Sequence, residues 1–214
     1  CYFGSALKLC GIAALLEGIC MLGMEQAYPE AFAARVYKIS RDAQGNRLTH
    51  VKITGGKLKV RDLLTNQTKG KGAEACWEEK VSQIRIYSGA SFRSVNEVQA
   101  GQICALTGLN HTHSGEGLGA ERDSELPVLE PVLSYQICLP DDCDVHQTYR
   151  KLLQLEEEEP ELHIAWNEKK NEIYAQLMGE VQIEVLKNMI RERFGIAVEF
   201  GTGSIVYKET IAEP

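Results

Sequence analysis

The sequence predicts a multi-domain chain, β in its first half and α+β in its second: a small closed β-barrel, then a sandwich of βαββαβ order. Between residues 27 and 127, short runs of alternating apolar and polar residues are separated by glycine-bearing turns. Short strands at that spacing close into barrels. From 128 onward, alternating runs take turns with runs of helical spacing. With 214 residues, 44% of them hydrophobic and 25% charged, the chain can build one large core or two small ones.

Residues 1–26 do not look self-sufficient. Cys1-Tyr2-Phe3 resembles the end of a buried strand, and Gly11 to Met24 reads as a helix, with Ile12, Leu15, Leu16, Ile19 and Leu22 at helical spacing. One strand end and one helix cannot enclose a core, so this stretch is expected to be the tail of a further domain. The first residue is Cys1 rather than Met, which suggests a piece of a longer protein. The most apolar stretch, Cys10 to Met24, is interrupted by Gly11, Glu17, Gly18 and Gly23 and falls short of the ~18 apolar residues of a membrane span. No membrane partner is expected. Seven scattered cysteines without a Cys-x-x-Cys motif read as reduced, buried thiols rather than a disulfide framework or zinc site.

In the barrel, the strand candidates are 31–40, 47–54, 57–65, 81–87 and 102–107. Turns fall at Gly45-Asn46, Gly55-Gly56, 69–72, Ser88-Gly89 and Ala100-Gly101. The segment 45–64 predicts a hairpin: Leu48, Val51 and Ile53 form one run, Leu58, Val60, Leu63 and Leu64 the other, and Gly55-Gly56 supplies the turn. Lys52, Lys57, Lys59 and Arg61 would then line its basic outer face. Residues 38–71 carry nine Lys/Arg against two Asp, a local +7 in a chain whose net charge is −7. Such asymmetry suits a polyanion, although a solvated lysine-rich hairpin would show it too. No aromatic residue alternates with these lysines, so contact through phosphates rather than bases is expected. Asp42-Ala43-Gln44-Gly45 reads as a turn. His111 and His113 lack a clearly placed third ligand, so no metal is expected. Gly115, Gly117 and Gly119 read as a loop.

In the second half, Val132 to Leu139 alternates as a strand. Pro140 and Asp141-Asp142 open a helix with Val145, Tyr149, Leu152 and Leu153 on one face, and Pro160 stops it. Leu162, Ile164 and Trp166 alternate, as do Ile173, Ala175 and Leu177. A second helix runs from Glu180, with Val181, Val185, Leu186, Met189, Ile190 and Phe194 facing inward and Gly195 as its C-cap. Ile196, Val198 and Phe200 form the last strand. The order βαββαβ is the ferredoxin-like split motif. The resulting layout is 1–26, barrel 27–127, sandwich 128–206 and a linker 207–214.

Several motifs resemble the translational GTPases, specifically elongation factor G and the tetracycline ribosomal-protection proteins. They are Arg47-Leu48-Thr49-x-x-x-Ile53-x-x-Gly56 with Leu58-x-x-x-Asp62, and Val98-x-Ala100-Gly101-x-Ile103 with Thr107-Gly108-Leu109 and Ser114-Gly115. Met178-Gly179-Glu180-Val-Gln-Ile-Glu184 and Tyr207-Lys208-Glu209-Thr210-Ile211 extend the likeness toward the C-terminus. Val181-Gln182 is nearer the protection branch, and the 207–211 segment nearer elongation factor G. Gly4-Ser5-Ala6-Leu7-Lys8 resembles the family's last guanine-contacting loop, which makes Ser5, Ala6 and Leu7 its candidate residues.

The resemblance implies a translation-factor-type β-barrel (domain II) and a ferredoxin-like domain III behind the end of a GTPase domain. It implies a cytoplasmic, monomeric, ribosome-binding segment whose parent uses GTP and magnesium and is released on hydrolysis. It also implies a partner: small-subunit ribosomal RNA, with ribosomal proteins beside it. Lys52, Lys57, Lys59 and Arg61 are the RNA-contact candidates, and no catalytic residue is assigned. A tetracycline-protection parent is the first reading. A translocase of the elongation factor G type, a self-standing RNA-binding barrel and a metabolic enzyme with a ferredoxin-like domain are the others. The chain holds no Gly-x-x-x-x-Gly-Lys-Ser/Thr and no Asn-Lys-x-Asp. Phosphate contacts anchor nucleotides in such sites, so the chain by itself is expected to show no saturable GTP binding. A micromolar dissociation constant in calorimetry would refute this.

Overall fold

A computed structural model describes residues 1–23, 26–65, 77–124 and 131–206. Helix α1 (Ile12–Leu22) follows a turn closed by an isolated bridge between Ser5 and Cys10. Its apolar residues Leu15, Leu16, Ile19 and Leu22 are exposed. No helix among the described residues is long and apolar enough to cross a membrane.

Among the described residues the barrel takes ten strands: β1 (Ala33–Arg41), β2 (Arg47–Gly55), β3 (Lys57–Lys59), β4 (Leu63–Thr65), β5 (Glu78–Lys80), β6 (Gln83–Ser88), β7 (Ser91–Val95), β8 (Glu97–Gln99), β9 (Ile103–Thr107) and β10 (Gly117–Gly119). Six form one antiparallel sheet in the order β10-β1-β2-β9-β6-β7, and the pairs β3-β8 and β4-β5 complete the wall. Inward-facing Val36, Ile39, Val51, Ile53, Ile84, Cys104 and Leu106 meet Leu58, Leu64, Val98 and Leu118 in one fully buried cluster. Burying each large aliphatic side chain contributes roughly 1.5–3 kcal/mol.

The expected 45–64 hairpin does not form. β2 pairs with β1 and β9, while β3 pairs with β8. The glycine pair answers a different need: a Cβ on Gly55 would lie 2.5 Å from the carbonyl oxygen of Ala31, and Gly56, at φ +55°, donates its N–H to Pro29. The chain therefore leaves the sheet at a close backbone crossing. The predicted strand 57–65 also breaks, at Arg61, whose φ is 75°. Asp62 holds that turn by accepting the Lys59 N–H at 2.7 Å.

The hairpin that does form joins β1 to β2 over Asp42–Asn46, where the Asp42 carboxylate accepts the N–H groups of Gln44 and Asn46 at 3.0 and 2.8 Å. Gly117 to Gly119, expected as a loop, is strand β10 against β1. A Cβ at Gly117 would meet the Arg122 carbonyl carbon at 2.6 Å, so glycine lets this strand lie under the following chain.

The sandwich runs β11 (Leu133–Cys138), α2 (Val145–Glu158), β12 (Ala165–Asn167), β13 (Glu172–Leu177), α3 (Glu180–Phe194), β14 (Glu199–Phe200) and β15 (Ser204–Ile205). The sheet order β12-β13-β11-β14 is that of the ferredoxin-like βαββαβ motif. Asp144, rather than Asp141-Asp142, caps α2, accepting the Gln147 N–H at 2.6 Å. Gly195 ends α3 at φ 70°. Leu152, Leu155, Leu186 and Ile190 bury against Ile137, Ile173, Ala175 and Leu177. Val181 and Val185, expected to face inward, are exposed. The thiols also differ from expectation: among the described residues only Cys104 is buried, and that burial pushes its pKa up to about 12.

Candidate functional site

The structure distributes the four basic candidates over two places. Lys57 and Lys59 flank buried Leu58 on β3 and point to solvent, with Gln99 and Glu97 opposite them on β8. Lys59 Nζ lies 3.5 Å from a Glu97 carboxylate oxygen. Arg61 follows, exposed, in the turn. Lys52 stands apart, half-buried on the outer face of the six-stranded sheet between Arg35 and Ile103. No ion pair engages Lys52, Lys57 or Arg61 among the described residues, so three of the four remain open to an anion.

The local +7 is smaller in space than in sequence. Arg41 and Arg47 point toward the sandwich, where Glu157 accepts from Arg41 Nη2 at 2.8 Å and Arg47 Nε at 3.2 Å. Glu158 lies 3.9 Å from Arg41 Nε and is gripped through both its oxygens by Arg193, at 2.6 and 3.1 Å. Part of the basic stretch and part of the acidic run Glu156–Glu159 thus neutralise each other across the barrel–sandwich junction. Lys69 and Lys71 lie outside the described residues.

Arg47 is also a structural hub. Its side chain is 10% exposed, and its Nη1 reaches the Leu109 carbonyl and the Thr112 hydroxyl, each at 2.9 Å, while Nη2 donates to the Thr112 carbonyl. Thr112 in turn bonds buried Thr49 at 2.8 Å. In the same loop the two histidines face different carboxylates: His111 Nδ1 lies 2.9 Å from Glu79, and His113 Nδ1 lies 3.4 Å from Glu116. Glu116 is 2% exposed, and burial raises its pKa. Among the described residues no group of three or more His, Cys, Asp or Glu could hold a metal ion.

A second feature of the outer face was invisible in the linear order. Residues opposite His50 on β1 include a bulge between Val36 and Lys38, which lets Tyr37 and Lys38 both flank His50. Rings then follow one another across the sheet: Tyr37 to His50 at 6.0 Å, His50 to Tyr87 at 6.1 Å and Tyr87 to Phe92 at 5.4 Å. The Arg85 guanidinium lies 4.4 Å above Phe92 and is held by Asp42 at 3.0 Å. Asp42, fixed by Asn46 and Arg85, has its pKa held down at about 2. Tyr37, Tyr87 and Phe92 are 47%, 37% and 47% exposed.

The Ser5-Ala6-Leu7 loop is a tight turn in which Ser5 and Cys10 exchange backbone hydrogen bonds at 3.0 and 3.2 Å and Leu7 is 95% exposed. The chain's own sequence adds no phosphate or magnesium ligand motif beside it.

Among the described residues, a barrel of ten strands precedes a ferredoxin-like sandwich. Comparison with known families agrees. Residues 31–120 match Elongation factor G domain 2 and residues 128–202 match Elongation Factor G, domain III. The chain belongs to the elongation factor G-like family. The tetracycline resistance protein TetP of Clostridium perfringens is 31% identical over 98% of this chain, which spans 32% of that protein. Elongation factor G of Amoebophilus asiaticus is 27% identical over 85% of this chain and 25% of its own length, and that of Thermotoga petrophila is 28% identical over 86% and 26%. The chain thus spans between a quarter and a third of these relatives. A crystal structure from Thermus thermophilus superposes with a TM-score of 0.67 over 89% of this chain and 29% of that one, at 21% identity, a likeness of fold.

Proposed function

We propose that this chain is the ribosome-binding middle segment of a cytoplasmic translational GTPase of the tetracycline-protection type. The barrel meets small-subunit ribosomal RNA through phosphates, and the sandwich sits between GTPase domain and ribosome. GTP and magnesium act in the parent protein, whose GTP state positions the domains and whose hydrolysis releases them. The likeness to TetP along 98% of this chain carries this reading. The elongation factor G relatives, which align over 85–86% of it, keep a translocase parent as the second reading. A self-standing barrel is disfavoured because the family match continues through 128–202.

The test is binding of this chain to purified small ribosomal subunits across a salt titration. Lys57→Glu with Lys59→Glu should weaken binding and leave the fold intact, since both side chains point to solvent. Each lost phosphate contact should reduce the log–log salt slope by about one, or slightly less. Wild-type binding by this double variant at every salt concentration contradicts the phosphate-contact reading.

A further inference from the structure

The ring row on the barrel lies apart from the β3 lysines; Tyr37, Tyr87 and Phe92 stay open to solvent, while half-buried His50 is held by the Ser40 hydroxyl at 2.8 Å. The row spans five strands of one sheet and draws its rings from four, with Tyr37 on β1, His50 on β2, Tyr87 on β6 and Phe92 on β7. Cross-strand register makes it continuous: His50 and Arg85 both stand opposite Ala105 of β9, a small, fully buried residue that leaves the large side chains on either side to meet over it. Cations flank the row. Lys38 lies opposite His50, Lys52 projects two residues along the same face of β2, and Arg85 covers one side of Phe92. Neither Lys38 nor Lys52 meets a carboxylate among the described residues. The acid beside the row, Asp42, is already engaged with Arg85.

Rings spaced along a face, with unpaired cations beside them, suit a chain of flat groups joined by anionic links. Every nucleobase has a π-face to stack on an aromatic ring, and the phosphates between bases need positive charge nearby. A duplex cannot use such a row, because its bases are stacked on one another and only its backbone meets the surface. The burial of His50 and the charge of Lys38 both lower its pKa, which favours the neutral ring and a stack without desolvation of a charge.

We propose that the outer face of the six-stranded sheet, through Tyr37, His50, Tyr87 and Phe92 with Lys38 and Lys52, is a stacking platform for unpaired RNA nucleotides. It rests on the ribosome-binding reading and adds base contact to it, at a place distinct from the β3 lysines.

Fluorescence anisotropy of this chain with a labelled oligoriboadenylate, and with an RNA duplex of equal length, tests it. Tyr37→Ala and Phe92→Ala should each weaken single-strand binding by about tenfold and leave duplex binding unchanged. Phe92→Trp should restore the single-strand affinity. Both rings are solvent-exposed, and unchanged thermal melting confirms that the variants fold. Lys57→Glu with Lys59→Glu is the separate control: if only the phosphate reading fails, this variant binds duplex like wild type while the ring variants still lose the single strand. Single-strand affinities unaltered by the ring substitutions, or an absence of single-strand binding, overturn the platform.

Discussion

Replacing Arg47 by alanine lowers the stability of the barrel by about 3 kcal/mol, the sum expected for two carbonyls that lose a charged donor. The guanidinium holds the carbonyls of Leu109 and Thr112 and the Thr112 hydroxyl, and Thr112 is 2% exposed. Removing it takes that donor from both carbonyls, while the Thr112 hydroxyl keeps Thr49, and this is a larger loss than that of a surface ion pair. Its bond to Glu157 adds little, because that carboxylate is 43% exposed and solvent screens the pair. Urea unfolding should show the midpoint fall with the m-value unchanged. Arg47→Lys should recover only a part, since an ammonium cannot reach Glu157, Leu109 and both Thr112 acceptors as a planar fork does. An alanine variant within 0.5 kcal/mol of wild type, roughly the range of an ordinary surface substitution, shows that Arg47 is not a hub.

The same residue illustrates which parts of the molecule were legible in the sequence. The alternation around Val51 and Ile53, and the helical spacing of Leu186 and Ile190, announce burial directly, because period and burial are the same fact for an isolated strand or helix. Strand partners are not written that way. Gly55-Gly56 carries a hairpin signature, yet its glycines serve a backbone crossing with residues 29–31, a contact with no local signal. Arg41 and Arg47 read as part of a basic face, but their partner Glu157 lies 116 and 110 residues away. The ring row escaped for a related reason. Its members come from four strands, and the bulge that turns Tyr37 toward His50 has no glycine or proline to mark it. Lys57 and Lys59 were readable as exposed because β3 alternates around Leu58. Local pattern gives faces, and only register gives neighbours.

Reversing the acidic pair, with Glu157→Lys and Glu158→Lys together, should uncouple the barrel from the sandwich. Glu158 is the stronger half, 9% exposed and gripped through both oxygens by Arg193 of α3 while facing Arg41 of β1. Arg41 Nε is buried without a hydrogen-bond partner, so the nearby charge of Glu158 is what compensates it. Two lysines there would face three arginines in a partly dehydrated junction, and truncating one partner of such a pair already costs about 2–5 kcal/mol. Calorimetry should resolve a lower-temperature transition for one half that merges with the other in the wild type. Small-angle scattering should give a larger radius of gyration. Added salt should imitate this only weakly, because screening acts poorly on buried pairs. Adding Arg41→Glu to that double variant sets a carboxylate opposite both substituted positions and should recover part of the coupling, leaving Arg47 and its barrel contacts in place. An identical scattering profile and a single unshifted transition in the Glu157→Lys, Glu158→Lys variant would mean that apolar packing, not these ion pairs, joins the two halves.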